Sequence, residues 1–204
     1  MMKVLGLTGP TGAGKGTVAA VFAELYGIPS IDTDAVYHEL LIPPSPCLDE
    51  LVTAFGTEIL RRDGTLDRPA LSRIVFSDLS GEKQKLLNGI THKYVLDETA
   101  NRLEAFRKEG KIAAFVDAPL LYESGFDAAC DAVIAVLAPR DIRRSRIISR
   151  DGLSAERADA RLNMQKPDEF FRKKTDLILW NHGNVEDLKQ QIRKIAVQLG
   201  VIGK

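Results

Sequence analysis

The chain has 204 residues, 45% of them hydrophobic and 27% charged, enough to bury a full core in one domain with insertions. Lys plus Arg and Asp plus Glu number 28 each, so the net charge is zero and bulk electrostatics gives no case for a nucleic acid or a membrane surface as partner. Two isolated cysteines, Cys47 and Cys130, lack metal-ligand spacing and suit a reducing compartment, no run approaches the roughly 20 apolar residues of a membrane span, and a cytoplasmic protein is expected.

The apolar run 3–8 lacks a basic leader and a small-residue cleavage site, so it reads as a strand and not as a signal peptide. It runs into Gly9-Pro10-Thr11-Gly12-Ala13-Gly14-Lys15-Gly16-Thr17, after which Val18, Val21, Phe22 and Leu25 recur at helical spacing. Strand, glycine-rich loop and helix together are the context of a phosphate-binding loop. Backbone N–H groups from Gly12 to Thr17 can line an anion cradle at the positive end of the helix. Lys15 adds a charge able to follow a phosphoryl group. The usual pattern closes on Gly-Lys-Ser/Thr, whereas Gly16 intervenes here, as in adenylate-kinase-like loops, and Thr17 becomes the hydroxyl facing Mg²⁺ and phosphate. Gly9, Gly12, Ala13, Gly14, Lys15, Gly16 and Thr17 are therefore the expected binding residues for a nucleoside triphosphate.

Farther along, 28–31, 112–117, 132–137 and 176–180 are strand candidates, and five strands separated by helices predict a parallel α/β sheet. Ligands of such sheets gather beyond the carboxyl ends of the strands, where Gly9 to Thr17, Asp32 to Asp34 and Asp117 fall. Asp34 suits a base that orients an attacking hydroxyl, although Asp32 or Asp34 also suits the cap of the next helix. Asp117 closes an apolar run, as a Walker-B-like Mg²⁺ carboxylate does, or as a turn residue does before Ala118-Pro119. The segment 36–109 reads as a helical insertion, with helix-spaced Leu48, Leu51, Val52 and Phe55, then Leu71, Ile74 and Val75, then Leu86, Leu87 and Ile90. Pro43, Pro44 and Pro46 break it. A second insertion, 139–175, holds eight Arg and three Lys against six acidic residues. Its Arg140, Arg143, Arg146 and Arg150 lie near one helix face; at least one suits a lid arginine, while a solvated helix is the plainer account for Arg143 or Arg144. An amphipathic helix, 185–199, closes the chain.

Several stretches narrow the reading: Asp32-Thr33-Asp34; Asp63-Gly64-Thr65-Leu66-Asp67-Arg68; Ile90-Thr91-His92; Asp117-Ala118-Pro119-Leu120-Leu121-Tyr122-Glu123-Ser124-Gly125; Arg146 through Arg150-Asp151-Gly152-Leu153-Ser154; Gln165; and Asp176 with Asn181. In order and spacing the chain resembles the dephospho-CoA kinase family over nearly its whole length. The resemblance implies a P-loop NTPase three-layer sandwich of class α/β, with a five-stranded parallel sheet, a helical acceptor-binding insertion and a helical lid. It divides a single kinase domain, 1–204, into a core (1–35, 110–138, 176–204), the insertion (36–109) and the lid (139–175). It implies ATP and Mg²⁺, with dephospho-CoA as acceptor, and no nucleic acid, membrane or obligatory protein partner. Lys15, Asp34, Arg146 and Arg150 become the expected catalytic groups, Thr17 and Asp117 the metal ligands, and Arg68, His92, Leu120 and Glu123 the acceptor pocket. The chain departs from the family pattern at Pro10, Gly16, Thr33, Lys93 and Thr175. Another small-molecule kinase on this fold is the nearest rival. A guanine-nucleotide switch lacks its Asn-Lys-x-Asp motif here, and a nucleic-acid ATPase lacks interleaved aromatics beyond Phe170 and Phe171.

Overall fold

The computed structural model describes residues 1–119 and 121–203; the expected pocket residue Leu120 lies outside the described residues. The chain forms two compact units, one of Met1–Ile31 with Leu103–Lys204 and one of Asp32–Arg102.

The first unit is built on a five-stranded parallel sheet. Its strands are β1 (Lys3–Thr8), β2 (Ser30–Asp32), β3 (Ala113–Asp117), β4 (Ala132–Leu137) and β5 (Leu177–Trp180), in the spatial order β2-β3-β1-β4-β5. β1, β3 and β4 are nearly continuous apolar runs because helices cover both faces of such a sheet. β1 and β4 keep their sequence-based bounds, and the ends of β2, β3 and β5 differ from theirs by one or two residues. Pro29 gives its carbonyl to the Phe115 N–H (2.8 Å) ahead of β2, and Ile112, expected to open β3, is 52% exposed. Asp176, expected to open β5, pairs partly through its side chain: Val133 N–H donates to the Asp176 carboxylate (2.8 Å), while Asp176 N–H donates to the Val133 carbonyl (3.1 Å). Asp131 does the same to Val4, at 2.7 and 2.8 Å. Two aspartates thus seal the amino ends of neighbouring strands with charge-assisted bonds.

The helices α1 (Lys15–Tyr26) and α9 (Val185–Gln198) contribute to the main core, in which the Phe22 and Phe115 rings meet edge-on at 4.8 Å. Leu188, Ile192, Ile195 and Leu199 are buried along the closing helix, as their spacing predicts. Leu25 departs from expectation: it is 41% exposed, because Tyr26, packed 6.0 Å from Phe22, takes the last core place before the helix stops at Gly27. The outermost strand β5 has the N–H and carbonyl of Trp180 taken by the Gln191 carboxamide, at 3.0 and 2.8 Å, which removes pairing groups from an edge. The basic segment folds into α6 (Arg140–Asp151), α7 (Ala155–Asn163) and α8 (Asp168–Lys174).

The second unit is helical: α2 (Thr33–Glu39), α3 (Pro46–Phe55), α4 (Arg68–Phe76) and most of α5 (Glu82–Lys108). α3 starts with Pro46 in its first turn behind a Ser45 cap (3.0 Å to Leu48 N), and α4 starts likewise behind Asp67 (2.9 Å to Ala70 N). Leu48, Leu51, Phe55, Leu71, Val75 and Ile90 share one apolar core. No helix among the described residues is long and apolar enough to cross a membrane.

Candidate active site

At the end of β1 the chain turns through Gly9, whose backbone lies so near β4 that a Cβ there would sit 2.2 Å from the Val136 carbonyl oxygen. α1 then begins after Gly14 with no side-chain cap, so the N–H groups at its mouth are left to an outside acceptor. Register places Leu7 of β1 beside Asp117 of β3, which brings the ends of the two strands together below the loop. The Lys15 ammonium lies 3.4 Å from the Gly9 carbonyl and 3.9 Å from Asp117 Oδ1, with both charged side chains only 14% exposed. This arrangement holds a cation at the mouth of an uncapped helix. Thr17 is exposed in the first turn of α1.

The back of the loop is held as closely. Arg143 Nε donates to the Thr11 carbonyl (3.1 Å), and Arg146 Nη1 donates to those of Gly12 and Ala13 (3.1 Å each). Asn181 Nδ2 adds a second bond to Ala13 (3.0 Å), and its Oδ1 accepts from Arg146 Nη2 (3.0 Å). Gln165 Oε1 accepts from Thr11 N–H (3.1 Å). Not every N–H of the expected cradle is turned inward, because that of Ala13 donates to the Pro10 carbonyl (3.2 Å) and closes a turn.

The arginines of α6 occupy distinct settings. Arg143 is 7% exposed rather than solvated, with Asp168 3.8 Å away, and burial lowers its basicity against the pull of that carboxylate. Arg144 does fit the solvated description, in a two-pronged pair with Asp159 (2.9 and 3.1 Å). Arg146 is half-buried against the loop, and burial lowers its basicity too. Arg150 is 61% exposed at the side chain and sits two-pronged on Asp151 (2.7 and 3.0 Å), which also accepts from Arg161 (2.6 Å). Glu123 is exposed, and its neighbour Tyr122 donates to the Lys174 carbonyl (2.8 Å) and packs edge-on against Phe170.

In the second unit, Asp34 lies in the first turn of α2 and is exposed. The two aspartates there are distinguished by their bonds: the Asp32 carboxylate accepts from the N–H groups of Asp34 (2.9 Å) and Ala35 (3.1 Å), so Asp32 is the cap. Arg68 begins α4, exposed, with its guanidinium 5.9 Å from the centre of the Tyr37 ring. Burial raises the Tyr37 phenol, Arg68 opposing, so the ring stays neutral at physiological pH. His92 is half-buried on α5. Its neighbour Lys93 pairs with Glu50 of α3 (3.2 Å) and lies over the Tyr94 ring, which accounts for a lysine in a helix that continues through this position. Cys47 and Cys130 are both free thiols, raised by burial to about 11 and about 12. Sequence reasoning missed the loop-holding roles of Arg143, Gln165 and Asn181; the last two stood among the motif residues, with nothing in the pattern to say what they touch.

A family model described as dephospho-CoA kinase matches residues 3–187. The chain is 41% identical over 201 residues to the dephospho-CoA kinase of Anaeromyxobacter dehalogenans, covering 97% of this chain and 92% of that one. A solved protein from Thermus thermophilus matches with a TM-score of 0.81 at 33% identity, covering 97% of this chain and 98% of its own. The dephospho-CoA kinase from Campylobacter jejuni matches with a TM-score of 0.70 at 30% identity, covering 99% and 100%. With the family model spanning most of the chain and these relatives spanning nearly all of it, the chain belongs to the dephospho-CoA kinase family.

Proposed function

We infer that this chain transfers the γ-phosphoryl group of ATP to the ribose 3′-hydroxyl of dephospho-CoA, giving CoA and ADP, the last step of CoA synthesis. The observation that carries the reading within the site is Lys15, held at 3.4 Å from Gly9 and 3.9 Å from Asp117 at the mouth of an uncapped helix. A cation and unpaired N–H groups converging on one point suit a triphosphate terminus.

In the proposed reaction the 3′-oxygen bonds to the γ-phosphorus as the bond from that phosphorus to the β,γ-bridging oxygen breaks, and the hydroxyl proton passes to the Asp34 carboxylate. Lys15 follows the charge on the transferring group. Arg150 serves as the lid arginine that releases Asp151 for phosphate, and Arg146 braces the loop from behind. Thr17 and Asp117 offer hydroxyl and carboxylate oxygens, the hard donors that Mg²⁺ takes; the ion, when bound, neutralises charge on the β- and γ-phosphates. The helical segment 36–109, through Arg68 and His92, together with Leu120 and Glu123, receives dephospho-CoA, and the arginine-rich segment 139–175 acts as lid in a domain otherwise made of 1–35, 110–138 and 176–204. The reaction calls only for two small-molecule substrates and a cytoplasmic setting.

The test is ADP release from the purified protein with ATP and Mg²⁺, with and without dephospho-CoA, and with AMP, adenosine and shikimate as control acceptors. Release stimulated by dephospho-CoA alone, with a product heavier by one phosphate, is expected. Turnover with a control acceptor and none with dephospho-CoA would move the chain to another kinase activity.

A further inference from the structure

We propose that Asn181 is a positioning residue for the phosphate loop: it aims the Gly14 N–H at the nucleotide by anchoring the Ala13 carbonyl. The proposal rests on the reading that this loop binds ATP.

A trans peptide points its carbonyl and the following N–H in opposite directions, so fixing one aims the other. The carbonyls of Thr11, Gly12 and Ala13 are tied to Arg143, Arg146 and Asn181, which turns the N–H groups of Gly12, Ala13 and Gly14 away from those side chains. The Ala13 N–H meets the Pro10 carbonyl; the Gly14 N–H stands at the mouth of α1. Of the three anchored carbonyls, that of Ala13 decides the aim of Gly14, and two donors hold it.

Asn181 does this with both halves of one carboxamide. Its amide donates to Ala13, and its oxygen accepts from Arg146 and from the Gly183 N–H (3.2 Å), all while the residue is 3% exposed. Its own backbone N–H is held by the Leu137 carbonyl at the end of β4 (2.8 Å), so the side chain stands on the sheet and not on a loose loop. The fit is close: a Cβ on Gly14 would lie 2.3 Å from Asn181 Nδ2. A residue that merely stapled the turn after β5 would need only the bond to Gly183. The amide bond to a carbonyl 168 positions away acts on the loop.

Asn181→Asp separates the two halves. It keeps the size and the acceptor for Arg146 and Gly183, and sets an oxygen against the Ala13 carbonyl where a donor stood. ATP binding is measured by calorimetry with Mg²⁺ and no acceptor, beside the KM values for ATP and dephospho-CoA and the unfolding midpoint. The expected result is ATP affinity weaker by about tenfold, the scale of one buried hydrogen bond lost, with the KM for dephospho-CoA within about twofold of wild type. Wild-type ATP affinity in a folded variant, or equal weakening toward both substrates, overturns the proposal. Should Asn181→Asp not fold, Asn181→Ser is judged by the same two criteria. Wild-type protein in the same assays separates the two readings: if it neither binds ATP nor phosphorylates dephospho-CoA, the functional reading falls and this one with it, whereas unchanged affinity in the variant of an active enzyme removes the positioning role alone.

Discussion

Gly14 and Gly16 stand two residues apart, one capping α1 and the other in its first turn, and the same substitution should act on them with opposite sign. Gly14 has φ 96° and faces the Asn181 amide, 2.3 Å from where a Cβ would be. An alanine there meets the left-handed penalty of roughly 1–2 kcal/mol. It also drives the carboxamide off Ala13 and Arg146, with a loss of about 1–2 kcal/mol for a buried bond. The sum is a destabilisation of about 2–4 kcal/mol, or a fall in midpoint of roughly 4–16 °C for a chain of this size. Gly16 lies in the first turn of α1, exposed, and a Cβ added to it would meet no heavy atom within 4 Å. Alanine there restricts the unfolded chain and favours the helix by roughly 0.5–1 kcal/mol, raising the midpoint by about 1–4 °C. Thermal and urea unfolding of both variants, without nucleotide, reads the difference. A Gly14→Ala protein as stable as wild type, or a Gly16→Ala protein less stable, would refute the account of which glycine the packing requires.

Replacing the proposed base, Asp34→Asn, is expected to lower kcat by about 10²-fold or more with little change in ATP affinity, and near-normal turnover would take Asp34 out of the mechanism. Asp131→Ala removes the charged acceptor for Val4 N–H (2.7 Å) and should cost about 1–2 kcal/mol in urea unfolding, with Asp131→Asn milder; equal losses would mean that charge plays no part there. Asp78 accepts from Lys83 N–H (2.8 Å) and from Ser80, which bring its carboxyl down to about 2. A lowered folded-state value means that the stabilisation is complete above the ordinary carboxyl range near 4 and is lost as pH falls toward 2. Asp78→Asn should therefore be less stable than wild type at pH 7, with the gap closing between pH 4 and pH 2; a gap constant across that window would remove the linkage.

The sheet was legible because buried parallel strands are apolar runs bounded by glycine, proline and aspartate, and the phosphate loop because its glycines sit at fixed offsets from Lys15. Strand ends were less so: Asp176 reads as a strand residue, yet its carboxylate does part of the pairing that a backbone would otherwise do. The arginines of α6 show most plainly where sequence stops. Their spacing reveals a charged face, but the partners of Arg143 and Arg146 are backbone carbonyls some 130 positions away, and a carbonyl carries no residue identity to read. The departures from the family pattern become intelligible only in three dimensions, as with Gly16, which borders open space, and Lys93, which reaches Glu50.

That burial pattern has an electrostatic consequence. Among the described residues Arg146 has no carboxylate partner within ion-pair distance, and Arg143 has only Asp168 at 3.8 Å. Two desolvated guanidiniums are costly unless something offsets them. Loop carbonyls supply dipoles, which accept from Arg143 Nε and Arg146 Nη1 and leave Arg146 with no cancelling carboxylate. The Arg146 charge behind the loop therefore adds to that of Lys15 in front of it, which Asp117 at 3.9 Å offsets in part. A chain with zero net charge thus gathers positive charge at the loop by placing Arg146 against backbone carbonyls, while Arg144 and Arg150 sit on acids.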